Sequence, residues 1–133
     1  MISFNSSNII GVEKLYNMDP CFSWNKISYL DSINYSIIQD SFLGKQSIVN
    51  LGLRYVTNAN AYIIIVQFSN VTNLCTKNVG GMYNQLLGFE IVDKSKDGWE
   101  TGQHYYINDY ENGIINFTCT RIEVLSIDKL IDI

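Results

Sequence analysis

The chain has 133 residues, a formal net charge of −4 and a sequence pI near 4.7. It is 47% hydrophobic, 13% aromatic and only 17% charged, which excludes a disordered chain and a coiled coil and suits one domain with one core. With Arg54 and Arg121 as its two arginines it lacks a basic footprint for phosphates, so no nucleic-acid partner is expected and a basic protein partner fits better.

The N-terminus carries no Lys or Arg before Lys14 and no apolar run, so no signal peptide is read there. The longest apolar stretch, Ala61 to Val66, is far short of the ~20 residues of a membrane helix. A cytoplasmic protein without a membrane contact is expected. Cys21, Cys75 and Cys119 are odd in number and widely spaced, and read as reduced thiols rather than a disulfide framework.

In chain order, Val12, Leu15 and Tyr16 sit at helical spacing and predict a short N-terminal helix. Pro20 marks a boundary after it. From there the pattern is β. Ile27 to Ile37 alternates through Ile27, Tyr29, Asp31, Ile33, Tyr35 and Ile37, with Asp31 the one break in an apolar face. If that face is buried, Asp31 must be paired, with Arg54, Arg121 and backbone donors as candidates. The alternative is a strand that bulges or ends near Asp31. Ile48 to Thr57 alternates through Val49, Leu51, Leu53 and Tyr55. Tyr62 to Phe68 is apolar on both faces, which predicts a central strand. The pattern weakens after Phe68. A glycine loop, Lys77 to Met82, precedes an expected turn of helix over Tyr83, Asn84 and Gln85 and a strand over Gly88 to Val92. Asp93 to Gln103 reads as a polar loop with one large apolar residue, Trp99.

Asn112-Gly113 predicts a two-residue type I′ hairpin. That register pairs Tyr110 with Ile115, Asn108 with Phe117 and Tyr106 with Cys119 on an inner face. It leaves Tyr105, Ile107 and Asp109 on a wetter one. The apolar phase changes between Cys119 and Ile122, which predicts a β-bulge near Thr120-Arg121. The expected fold is therefore mainly β: an antiparallel meander of about six to eight strands forming a sandwich or partly open barrel, with a short N-terminal helix. Phe68, Leu53, Val66, Phe117, Cys119, Ile122 and Val124 are its expected core.

Catalytic patterns are sparse. His104 is the single histidine, no serine sits in a Gly-x-Ser-x-Gly context, and Val79-Gly80-Gly81 lacks the lysine of a phosphate loop. No C-x-x-C, H-E-x-x-H or EF-hand spacing occurs. No enzyme activity, cofactor or metal is expected. Aromatic residues flanked by acids suit protein recognition, and the expected partner surface is Asp93, Asp97, Trp99, Glu100, Tyr105, Asp109 and Glu111. A small-ligand-binding β-barrel or sandwich is the alternative.

The terminal phrase, Phe117-Thr118-Cys119-Thr120-Arg121-Ile122-Glu123-Val124-Leu125-Ser126-Ile127, follows a Gly88-Phe89-Glu90-Ile91 strand and the Asn78-Val79-Gly80 loop. In this order the chain resembles the immunity protein 50 family of bacterial polymorphic toxin systems, from about Trp24 to Ile127. Where that family has a Phe-His-Asp phrase, Tyr29-Leu30-Asp31 keeps the aromatic residue and the aspartate and lacks the histidine. The resemblance implies a cytoplasmic antidote that binds and occludes a co-encoded toxin, without catalytic residues.

Overall fold

The computed structural model describes residues 9–42, 44–94 and 104–130. Within them the chain is mainly β. A short helix, α1 (Glu13–Met18), and a 3₁₀ turn (Trp24–Lys26) precede eight strands. These are β1 (Tyr29–Asp40), β2 (Gly44–Val56), β3 (Ala61–Ser69), β4 (Thr72–Thr76), β5 (Phe89–Asp93), β6 (Tyr105–Asp109), β7 (Ile115–Cys119) and β8 (Arg121–Lys129). They form two four-stranded antiparallel sheets, in the orders β1-β2-β3-β8 and β4-β7-β6-β5, and neither is closed. None of the described helices is long and apolar enough to cross a membrane.

The alternation read in the sequence becomes one core shared by both sheets. Leu51, Leu53, Ile64, Val66, Phe68, Ile122 and Val124 face Phe89, Ile107, Ile115, Phe117 and Cys119, all buried. Phe68 and Phe117 meet edge-on, with ring centroids 5.0 Å apart. Helix α1 buries Leu15 completely in the same core, while Tyr16 stays partly exposed. The strand apolar on both faces, β3, indeed lies between β2 and β8.

The sheets are joined by a bent two-stranded ribbon. β3 pairs with β8 in the first sheet, and their continuations β4 and β7 pair in the second. Ser69 faces Arg121 before the corner and Thr72 faces Thr118 after it, so the register runs through with no inserted residue. Asn70 takes φ 57° at the bend. Its Nδ2 donates to Thr120 Oγ1 at 2.9 Å, and the Thr120 N–H donates to Ser69 O at 3.0 Å. The phase change at Thr120-Arg121 is therefore not the expected β-bulge. It is the corner at which the chain leaves one sheet for the other, a bend that reorients the inward face of both strands.

Three further expectations are corrected. The β6–β7 hairpin pairs Tyr105 with Cys119, Ile107 with Phe117 and Asn108 with Asn116, one residue off the type I′ register. Gly113 takes φ 65° but Asn112 does not take a positive φ. A wider turn closes instead through Gly113 N–H donating to Asp109 O at 2.7 Å. A one-residue slip exchanges the faces of a strand. Tyr105, Ile107 and Asp109 are accordingly buried, and Tyr106 and Asn108 are not. In β1 the register shifts between Leu30 and Ser32, which sets the buried Leu30 opposite Leu53, while Tyr35 and Ile37, expected to be buried, keep the inward phase opposite Val49 and Ser47 and are exposed. Finally, Tyr83 to Gln85 is not a helical turn: Gln85 bridges Tyr29 as extended chain.

Candidate functional site

The residues singled out from the sequence divide into three groups. Asp97, Trp99 and Glu100 lie outside the described residues. Tyr105 and Asp109 are buried, at 6% and 0% exposure, which corrects their placement on a wet face. Asp93 is partly buried and Glu111 is exposed. Asp93 pairs with Tyr105 at one end of β6, whereas Glu111 lies in the turn beyond the other end. Five residues of strand, roughly 17 Å, separate these ends, so the two acids do not converge.

Asp109 has a structural task instead. Its Oδ1 accepts from Gly88 N–H at 2.9 Å, its Oδ2 from Ile114 N–H at 3.4 Å, and its carbonyl from Gly113 N–H. Tyr110 N–H then donates to Gly88 O at 3.0 Å. This fixes the β6–β7 turn against the start of β5. Burial, followed by the nearby Asp93 charge, raises the Tyr105 pKa above its ordinary value. Burial pushes the Cys119 thiol up to about 12, so it is a packed, protonated side chain rather than a nucleophile. Tyr55 donates its hydroxyl to Asp19 Oδ2 at 2.6 Å. Burial first, then that bond, raises the Tyr55 pKa, and the same bond lowers that of Asp19. This pair anchors the segment after α1 to β2.

The surface that the fold does assemble is apolar and aromatic. Met82 is 86% exposed, Tyr83 74%, Tyr110 54% and Leu87 50%. Backbone bonds hold their segment in place: Leu30 N–H donates to Asn84 O and Leu86 N–H to Ser28 O, each at 2.9 Å. The buried Leu86 pins the segment to the core. Asn112 Nδ2 donates to Gln85 O at 3.0 Å, tying the β6–β7 turn to it. Gly88 lets the Tyr110 ring lie against the backbone, since a Cβ there would sit 2.8 Å from the ring. Tyr83 stacks obliquely on Tyr29, with centroids 5.7 Å apart.

Arg54, the cross-strand neighbour of Tyr29, completes this end of the molecule. Its Nε and Nη2 donate to Asp31 Oδ2 at 3.0 and 2.6 Å, a bond that is the main cause of its raised pKa. Asp31 thus has the arginine partner expected of it and also lies at the bulge offered as the alternative. Two shallow grooves flank the segment. One of about 390 Å³ is lined by Lys26, Tyr29, Val56 and Leu87, and one of about 240 Å³ by Asn78, Tyr83 and Asn112.

Sequence reasoning passed over this surface because Met82, Tyr83 and Leu87 fall in a stretch without periodicity and Tyr110, here exposed, reads as an inward residue of the hairpin. The available signal was the pair Met82-Tyr83, two large side chains inside a loop of Gly and Asn. Among the described residues no group of His, Cys, Asp and Glu is placed to hold a metal ion. Comparison with family models, with curated proteins and with solved structures finds no match for the chain.

Proposed function

We propose that this protein is an immunity-type inhibitor that binds a co-encoded bacterial protein toxin and neutralises it by occlusion, in the cytoplasm and without catalysis. The observation that carries the reading is the exposed cluster of Met82, Tyr83, Leu87 and Tyr110 beside Arg54. Tyr, Met and Arg are the residue types enriched at protein–protein interfaces, and backbone hydrogen bonds at Asn84 and Leu86 hold the segment that carries Tyr83 and Leu87 against β1. Glu111 in the same turn and the net charge of −4 favour a basic toxin by speeding encounter. The likeness to the immunity protein 50 family supports the same reading from the terminal phrase. The buried positions of that phrase, Phe117, Cys119, Ile122 and Val124, build the ribbon corner, so it speaks to scaffold rather than to the partner.

The test is co-expression with the product of the adjacent gene, followed by measurement of binding. The parent chain is expected to rescue growth and to form a stoichiometric complex. Tyr83→Ala and Leu87→Asp should each weaken binding by about 2 kcal/mol, roughly thirtyfold, while leaving the fold intact. The acidic stretch that follows β5 in the sequence, with Asp93, Asp97, Trp99 and Glu100, is the competing contact region. Asp97→Lys combined with Glu100→Lys should alter chiefly the rate of association. Loss of the complex only in that second variant moves the interface to the loop. Absence of both rescue and complex overturns the reading.

A further inference from the structure

The outer edge of β1 is unlike the other features of the surface because it is already a pairing edge for part of its length. At its start, Leu30 N–H and Ser28 O bond the Asn84–Leu86 segment, and Tyr29 bridges Gln85. That short ladder stops where β1 bulges at Asp31. From Ser32 to Gln39, β1 is the edge of its sheet, with no strand beyond it among the described residues. Alternate residues of such an edge aim backbone N–H and C=O groups outward, and what satisfies them is another extended strand.

Natural sheets blunt long edges with charges, proline or short strands. Ser32-Ile33-Asn34-Tyr35-Ser36-Ile37-Ile38-Gln39 carries neither charge nor proline. Its large side chains are open: Tyr35 is 51% exposed, Ile37 60% and Ile38 45%. Tyr35 is the cross-strand neighbour of the core residue Val49, so it lies on the apolar side of the sheet beyond the cover of the second sheet.

We propose that this edge pairs antiparallel with the same edge of a second copy of the chain, about a two-fold axis at Tyr35. The argument for a copy is self-complementarity. With the axis at Tyr35, Ile33 faces Ile37 of the partner subunit, Ser32 faces Ile38 of the partner subunit, and Asp31 faces the neutral Gln39 of the partner subunit. In this register neither strand aspartate meets a like charge, since Asp40 faces Leu30 of the partner subunit, whereas like charges directly opposite would destabilise a ladder. The charge-free run Ser32–Gln39 spans this ladder on both sides of the axis. One eight-residue ladder covers less than the roughly 800 Å² per partner of a standard interface, so the dimer forms in a concentration-dependent way. This inference stands apart from toxin binding, which uses a different surface.

The experiment is sedimentation velocity on the full chain from about 5 to about 500 μM, the range of transient association. A reversible monomer–dimer equilibrium is expected. Tyr35→Lys puts two like charges across the axis and should raise the dissociation constant at least roughly tenfold, with an unchanged melting curve. Ile37→Lys reads the same edge if the first variant folds poorly. In a background with Cys21 and Cys75 replaced by Ser, Tyr35→Cys should cross-link under oxidation and Ile38→Cys should not. A parent chain that stays monomeric throughout overturns the proposal. So does a Tyr35→Lys variant that dimerises like the parent, or cross-linking at position 38 in place of 35.

Discussion

Asp31 and Asp109 are both strand aspartates, and the fold treats them in opposite ways. Asp31 interrupts an apolar face, yet its side chain is 28% exposed and rests on an arginine that is 38% exposed. Asp109, read as part of a wet face, is fully buried and is held by backbone N–H groups from Gly88 and Ile114. The difference teaches that a carboxyl group in a sheet is not placed by its immediate neighbours in sequence. It is placed by what the turn beside it leaves unsatisfied. The β6–β7 turn and the start of β5 each leave one inward N–H group, Ile114 and Gly88, and Asp109 answers both, whereas the bulge at Leu30/Ser32 turns Asp31 outward to water and Arg54. The largest expected effect follows. Asp109→Ala strands two buried donors, each costing about 1–3 kcal/mol, so a loss of about 2–6 kcal/mol of stability is expected, read as a lower denaturant midpoint. Asp109→Asn retains one acceptor and should lose about half as much. A parent-like midpoint for Asp109→Ala would dissolve the contrast between the two aspartates.

Gly113 sharpens the same comparison at the next size of effect. Its φ of 65° lets its N–H reach Asp109 O, and open space surrounds the position a Cβ would take. Gly113→Val therefore meets no clash, only the backbone cost of a β-branched residue in the left-handed region, about 1–2 kcal/mol. Chemical denaturation measures it. A loss as large as that of Asp109→Ala would mean that the turn, rather than the carboxyl group, holds this end together.

The strands and the core were legible because alternation and burial are the same fact in an antiparallel sheet: Leu53, Val66, Phe117 and Val124 are apolar because they are inside. The faces of β6 were not legible. Asn112-Gly113 has the residues of a two-residue turn, but the chain closes over Asp109 to Gly113, and a one-residue difference in turn size moves Tyr105 and Asp109 from water to core. The corner at Thr120 was half legible, since the phase change is local while the partner that bends with it, Asn70, lies fifty residues away. The exposed Met82, Tyr83 and Leu87 were hidden for a similar reason. The bonds Leu30–Asn84 and Leu86–Ser28 that present them are long-range backbone bonds, which no local periodicity encodes.

The smallest expected effect belongs to Asp31. Its bond to Arg54 is short and well directed, at 2.6 and 3.0 Å, so geometry alone would suggest a strong interaction. Exposure decides otherwise: both side chains remain solvated, and solvated pairs of this kind are worth about 0–1 kcal/mol. The bulge itself is a backbone feature and does not need the carboxyl group. Asp31→Ala should therefore lower stability by no more than about 1 kcal/mol. The loss should shrink as ionic strength rises toward about 1 M, where the screening length falls to about 3 Å. The informative measurement is the difference in midpoint between Asp31→Ala and the parent at low and at high salt. A loss that is large and indifferent to salt would place Asp31 with Asp109, as a group whose partners are structural. A small, salt-dependent loss keeps them apart.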